Sequence, residues 1–161
     1  MPVAHGLDPE LRLQHALDLA FRYLARRERT VLETRRYLEG KRVEPRAIEQ
    51  ALEQLANEGY LDDARFARQF AEDKRLLDEW GADRIERRLA TLGVPAELVR
   101  EAIAARDRGG ELDAALAVLQ RRFPLLGADP RDRRRAIGVL VRKGYEPELA
   151  WEAIRAHSGG D

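Results

Sequence analysis

Glu97-Leu98-Val99-Arg100-Glu101-Ala102-Ile103 is followed 51 residues later by Glu148-Leu149-Ala150-Trp151-Glu152-Ala153-Ile154. The same offset carries Ala51-Leu52 onto Ala102-Ile103, Leu38 onto Leu89 and Leu140, Ala16 and Ala20 onto Ala67 and Ala71, and Gly93 onto Gly144. Self-similarity at a fixed period of this size marks a repeat architecture. Three units of about 51 residues account for nearly the whole 161-residue chain.

Each unit reads as three helices. In the first, Leu13, Ala16, Leu17, Ala20, Phe21 and Leu24 recur at helical spacing, predicting a helix over Leu11 to Arg27. A second helix starts at Thr30, where Thr30-Val31-Leu32-Glu33 has the form of a capping box, and ends near Gly40. A third starts at Pro45 and stops at Gly59. The second unit repeats the plan over Asp63 to Leu77, Ala82 to Leu92 and Pro95 to Arg106. The third does so from Glu111 to Arg122, from Asp129-Pro130 and from Pro147, with Gly109-Gly110 read as the linker between them. The expected division is a flexible N-terminus over 1–10, units over 11–61, 62–108 and 109–157, and a flexible tail over 158–161.

A unit of this size is too small to fold securely alone, so each must bury its remaining apolar face on the next. The expected fold is all-α: three tandem three-helix repeats forming an elongated, curved, solenoid-like stack. Such a shape offers a long surface rather than a deep pocket, which favours binding over catalysis. Composition agrees. Ala, Leu, Glu and Arg dominate, and strand-forming runs of Val, Ile and Thr are absent.

Charged residues reach 36%, yet 29 basic and 29 acidic residues cancel to a net charge of +0. The overall balance argues against a protein whose main task is to coat DNA, since non-specific DNA binding draws on an excess of cations. There is no cysteine, which excludes disulfide and thiolate chemistry and fits a cytoplasmic protein. Residues 1–6 show no secretory signal, and apolar runs are too short for a membrane span. No long apolar seam calls for a partner chain, so a monomer is expected. His5, His15 and His157 lack metal-ligand spacing. Ser158, the one serine, lies in the tail, and no glycine-rich phosphate loop is present. Neither cofactor nor metal nor catalytic site is expected. Trp80 and Trp151 are read as packing residues.

The stretch Gly59-Tyr60-Leu61-Asp62-Asp63-Ala64-Arg65-Phe66-Ala67 joins the first two units. Read physically, Gly59 stops a helix, Tyr60 or Leu61 packs back over the stop, and Asp62 or Asp63 caps the next helix. As a string it resembles the signature of the RecX family. So do Gly81, Arg84-Ile85, Leu89 and Gly93-Val94, the start through Ala16-Leu17, Ala20, Leu24, Arg27, Thr30 and Glu33 to Leu38, and Arg142-Lys143-Gly144-Tyr145. The resemblance covers roughly Leu13 to His157. One departure is Thr34, where the pattern leads one to expect an apolar residue. The resemblance implies a non-enzymatic regulator that binds the RecA recombinase filament and restrains its ATPase, strand-exchange and coprotease activities in DNA repair, recombination and the SOS response. It also implies, for some members, a contact with DNA.

The arginines carry a separate reading. Arg84, Arg87 and Arg88 fall at i, i+3, i+4 and share a helical face, as do Arg131, Arg134 and Arg135 one unit later. Arg35 and Arg36 lie on the second helix of the first unit, and Arg142-Lys143 ends that of the third. One reading makes these a basic stripe that meets an acidic protein surface or DNA phosphates. The other makes them a solvated face balanced by Glu33, Asp83, Glu86 and Asp132. With the family resemblance, a binding role for some of them is the expectation. The alternative is a tandem helix-turn-helix-like DNA-binding protein.

Overall fold

The computed structural model describes residues 8–159. Within them the chain forms nine helices and no strand: α1 (Pro9–Leu24), α2 (Val31–Gly40), α3 (Pro45–Asn57), α4 (Asp63–Leu77), α5 (Ala82–Thr91), α6 (Ala96–Ala104), α7 (Arg108–Arg122), α8 (Pro130–Lys143) and α9 (Pro147–Ser158). The all-α fold and its three three-helix units are therefore as expected. In each unit the first helix packs along the third and the second leans on that pair.

The repeat fixes the cores. Leu38, Leu89 and Leu140 are fully buried, one at the centre of each unit, and Ala51, Ala102 and Ala153 let the third helices approach closely. The apolar residues form three separate clusters, one per unit, rather than one merged core. This is the packing of a stack in which neighbours touch but interiors stay distinct.

Local chemistry explains most boundaries. Thr30 and Glu33 form the reciprocal capping box at the start of α2. Gly59 takes φ +83°, and the Tyr60 N–H returns to the Leu55 carbonyl at 2.9 Å, which closes α3. Of the two residues that could cover that stop, Leu61 is buried while Tyr60 stays exposed against the edge of Phe21. Of the two acids, Asp62 caps α4 through the Arg65 N–H. Phe66, from the same stretch, enters the core of the second unit.

Several boundaries differ from the sequence reading. Gly109 and Gly110 are not a linker but lie in the first turn of α7. Asp107 caps that turn through the Gly110 N–H at 2.8 Å, and the Arg106 side chain lies where a Cβ on Gly110 would stand. Glycine here makes room for an arginine. Pro9 and Glu10 are helical because Asp8 caps α1, so of the N-terminus expected to be flexible only 1–7 falls outside the described residues. Ser158 closes α9 rather than fraying; its hydroxyl donates to the Ile154 carbonyl and receives Arg133. Residues 160–161 of the expected tail lie outside the described residues. Thr34 is fully buried, and its hydroxyl donates to the Thr30 carbonyl at 2.9 Å, so a polar side chain sits at an apolar position without an unpaired group.

The units join by a repeated rule. The start of one unit's second helix docks on the end of the next unit's second helix. Thr30 donates its hydroxyl to the Leu92 carbonyl at 2.6 Å, and 51 residues on the Gly81 N–H donates to the Lys143 carbonyl at 2.8 Å. A carboxylate from the following unit then caps the docked helix: Asp63 accepts from Val31 N–H, and Glu111 from Ala82 N–H, both at 3.0 Å.

Candidate functional site: a basic groove over the second and third units

The second joint brings the start of α5 against the end of α8, and the surface over it is cationic. One groove is lined by Phe70, Lys74, Trp80, Arg84, Arg87, Arg88, Thr91 and Arg142. An adjoining groove is lined by Arg122, Phe123, Arg131, Arg134, Arg135, Gly138, Val139 and Arg142. Arg142 belongs to both, so they run together. The repeat relates them: moving Trp80, Arg84, Arg87, Arg88 and Thr91 on by 51 gives Arg131, Arg135, Gly138, Val139 and Arg142, all in the second groove.

The groove has a fixed inner wall. The Arg84 guanidinium lies over the Trp80 ring, 4.1 Å from its centre, and Lys74 Nζ approaches the same ring at 4.8 Å. Phe70 meets Trp80 edge-on at 6.1 Å. Arg84 also donates to the Arg142 carbonyl at 3.1 Å. Arg135 stands 5.9 Å from the Phe123 ring. Cations held over aromatic faces keep their charge and lose less freedom on meeting an anion.

The acids expected to balance these arginines do little. Asp132 reaches Arg135 only at 3.8 Å, with both side chains well exposed, a pairing of small worth. Arg87 bonds the Asp83 carbonyl rather than its carboxylate. Among the described residues, Arg87, Arg88, Arg131 and Arg134 have no carboxylate within ion-pairing distance.

The first unit does not continue the groove. Arg35 is forked to Glu49 on α3 at 3.0 and 3.2 Å, which raises the guanidinium pKa and lowers that of the carboxyl. Arg36 is exposed at the position equivalent to Arg87. Glu33 occupies the place of Arg84 and pairs with Arg27 at 2.7 Å. Tyr37 stacks on Tyr23 at 4.1 Å, and the Arg29 guanidinium lies over the Tyr23 ring at 4.1 Å from its centre. The protein's own side chains thus fill the first-unit counterpart. Lys143 is likewise committed to the joint, its Nζ donating to the Asp78 carbonyl at 3.0 Å.

The signature residues make contacts that shape the joint between the first two units. Gly59, Leu61, Asp62 and Phe66 stop, cover, cap and pack, as described above. Asp63 receives Val31, and Arg65 reaches Glu28 at 3.1 Å and the Gly59 carbonyl. Burial is the largest influence on Asp63 and raises its pKa against the lowering effect of the Val31 N–H; Asp62 and Glu33 add to the rise. Among the described residues no group of His, Asp and Glu could hold a metal ion, and no helix is long and apolar enough to cross a membrane.

Residues 16–55, 62–103 and 110–154 match, in order, the first, second and third three-helix domains of RecX. The chain belongs to the RecX family. Among its relatives, the regulatory protein RecX of Trichlorobacter lovleyi is 35% identical over 134 residues, covering 81% of this chain and 87% of the relative. That of Deinococcus radiodurans is 35% identical over 139 residues, covering 86% of this chain but 66% of the longer relative. The crystal structure of RecX from Lactobacillus salivarius superposes with a TM-score of 0.79 at 15% identity, over 89% of this chain and 95% of that one. A second RecX crystal structure gives 0.75 at 19% identity, over 89% and 71%. The RecX relatives are named regulatory proteins, and the shared fold is this three-unit stack.

Sequence reasoning named the arginines of α5 and α8 but missed Phe70, Lys74, Trp80, Arg122 and Phe123. These come from α4, α7 and the loops that follow them. The 51-residue repeat was the available signal: it sets Trp80 and Arg131 in register at the entrance to two equivalent helices.

Proposed function

We propose that this RecX-family chain is a non-catalytic regulator that binds the nucleoprotein filament of a RecA-type recombinase and inhibits its ATPase, strand-exchange and coprotease activities. Family membership supports the class of activity. The observation that carries the binding face is the continuous basic groove over the second and third units, in which Arg87, Arg88, Arg131 and Arg134 lack carboxylate partners and Arg84 lies over the Trp80 ring, while Lys74 is paired to Asp78. Such a surface suits a polyanion: the acidic groove of a protein filament or the phosphates of the DNA within it.

The test is the ATPase rate of the cognate recombinase on single-stranded DNA, with the chain titrated in and filament length followed by light scattering. Inhibition well below one copy per recombinase subunit, with shortening filaments, is the expected result. Unchanged rate and scattering at excess folded protein would overturn it.

A second reading, direct DNA binding, is favoured by the aromatic lining, since exposed bases stack on such rings. Tight, steeply salt-dependent binding to bare DNA in the absence of recombinase would select it.

A further inference from the structure

The two joints obey one rule but are not equally firm. In the second, two backbones bond directly: Gly81 N–H to the Lys143 carbonyl at 2.8 Å, and Asp83 N–H to the Gly144 carbonyl at 2.9 Å. This approach requires two glycines. A Cβ on Gly81 would lie 2.5 Å from the Gly144 carbonyl carbon, and one on Gly144 would collide with Arg84. The fully buried Tyr145 donates its hydroxyl to the Glu79 carbonyl at 3.0 Å. Glu111, itself buried, takes both Ala82 N–H and Arg106 at 3.0 Å, while Arg106 also reaches the Trp80 carbonyl. The Arg121–Glu79 pair and Lys143 close the outside.

In the first joint Thr30 stands where Gly81 stands in the second, and its side chain keeps the backbones apart. The link is made by its hydroxyl to Leu92, by the half-buried Asp63 to Val31, by Leu32 seated on Gly93, and by the exposed Arg65–Glu28 pair. Among the described residues it has no backbone-to-backbone bond; Val94 stands in the place of Tyr145, and Asp63, which answers to Glu111, receives no arginine. Bonds through side chains and exposed ion pairs open at lower cost than paired buried backbone.

We propose that the chain works as two bodies: units two and three form one rigid block that holds the groove in shape, and unit one is an arm that swings about the joint at Thr30, Asp63 and Leu92. The groove lies wholly on the rigid block, so movement of the arm does not distort it. On the functional reading above, the arm adjusts to the spacing of filament subunits while the groove stays preformed. The articulation itself does not depend on that reading.

The chain has no native cysteine, so paired spin labels report distances without background. Gln50, Arg100 and Ala156 are exposed on α3, α6 and α9. Gln50→Cys with Arg100→Cys spans the first joint, and Arg100→Cys with Ala156→Cys spans the second. The expected result is a broad distance distribution for the first pair and a narrow one for the second, in the protein alone. Equally narrow distributions, or a broader second pair, would overturn the proposal. Gly81→Thr should broaden the second pair toward the first. Should that variant fail to fold, Tyr145→Phe combined with Glu111→Gln should produce a smaller broadening in the same pair; a second pair unmoved in a folded variant of either kind would count against the assigned origin of the stiffness. Polyanion affinity, read separately with heparin, should fall with the second joint and stay constant when Thr30→Ala loosens the first.

Discussion

Arg84 faces Trp80 across 4.1 Å and at the same time holds the Arg142 carbonyl at 3.1 Å, so one guanidinium serves both the groove wall and the joint beneath it. Arg87, Arg88, Arg134 and Arg135 have no such double duty. Replacing Arg87 and Arg88 with Ala should weaken filament inhibition about tenfold or more while leaving the melting temperature near that of the native chain. Arg84→Ala should lower both. Arg35→Ala should leave inhibition unchanged, because its guanidinium is turned to Glu49, and should cost at most about 1 kcal/mol of stability. Titrations of the ATPase alongside thermal melts check the set. Equal loss from Arg35→Ala would remove the groove as the binding face.

Tyr145 gives the second joint an alkaline limit. Burial, its largest influence, raises the phenol pKa from the usual value to about 12, with Arg106 opposing. A folded pKa above the unfolded one means that ionisation favours the unfolded chain. The stability it contributes is complete below about pH 10 and is lost as the pH rises through about 12. Tyr145→Phe should cost about 1 kcal/mol at neutral pH through the orphaned Glu79 carbonyl. It should also flatten the loss of stability between those two values, as measured by urea unfolding at a series of alkaline pH values.

Asp63 acts with the same sign at the first joint, but in the acid range. Its pKa is raised, chiefly by burial, so the folded state binds the proton more tightly than the unfolded chain does. This component of stability is present at and below the unfolded carboxyl value of about 3.9 and declines as the pH rises through the folded value. Asp63→Asn keeps an oxygen for the Val31 N–H but removes the charge beside Asp62 and Glu33. The variant should be as stable as the native chain or more so at neutral pH, and the difference should vanish in acid. Asp63→Ala, which leaves that N–H without its acceptor, should lose about 1 kcal/mol at both. Chemical unfolding at the two extremes reads the sign directly.

Arg42, Gly93 and Gly144 occupy one repeat position, with φ of +60°, +85° and +102°. The two glycines are pressed by the preceding unit, Gly93 by Leu32 and Gly144 by Arg84. Of the three, only Arg42 is not glycine, and it bears left-handed strain without such a collision. Arg42→Gly should therefore stabilise the chain by up to about 1 kcal/mol. Gly93→Ala and Gly144→Ala should each cost more than that, since strain and collision act together. Differential scanning calorimetry of the three single variants should give shifts of opposite sign; a destabilised Arg42→Gly would contradict the account.

Helices, caps and the three-unit frame were legible because their signals are local: Thr30 with Glu33, proline at Pro45, Pro130 and Pro147, glycine at Gly59. Gly109-Gly110 misled because composition marks glycine pairs as breakers, whereas Asp107 and Arg106 hold them in a helix from outside the pair. The groove was only half legible. Its arginines have a helical spacing that a sequence displays, but Lys74, Trp80, Arg122 and Phe123 arrive from other helices through a joint that no local pattern encodes. The chain's zero net charge also concealed it, because α8 sets Arg131, Arg133, Arg134, Arg135, Arg142 and Lys143 against the single acid Asp132, while α3 and α9 carry Glu49, Glu53, Glu148 and Glu152.

On the proposed reading, the duplication of the groove, with Arg84 and Arg135 as equivalents one repeat apart, sets a minimum length for tight binding. A short anion engages one copy and dissociates quickly. A polymer that spans both receives its second contact at high effective concentration, so its affinity multiplies without any new kind of bond. On that reading the site would be a gauge of extension: it would discriminate by how far a ligand's charge continues in a line, and pass over compact anions of the same charge density.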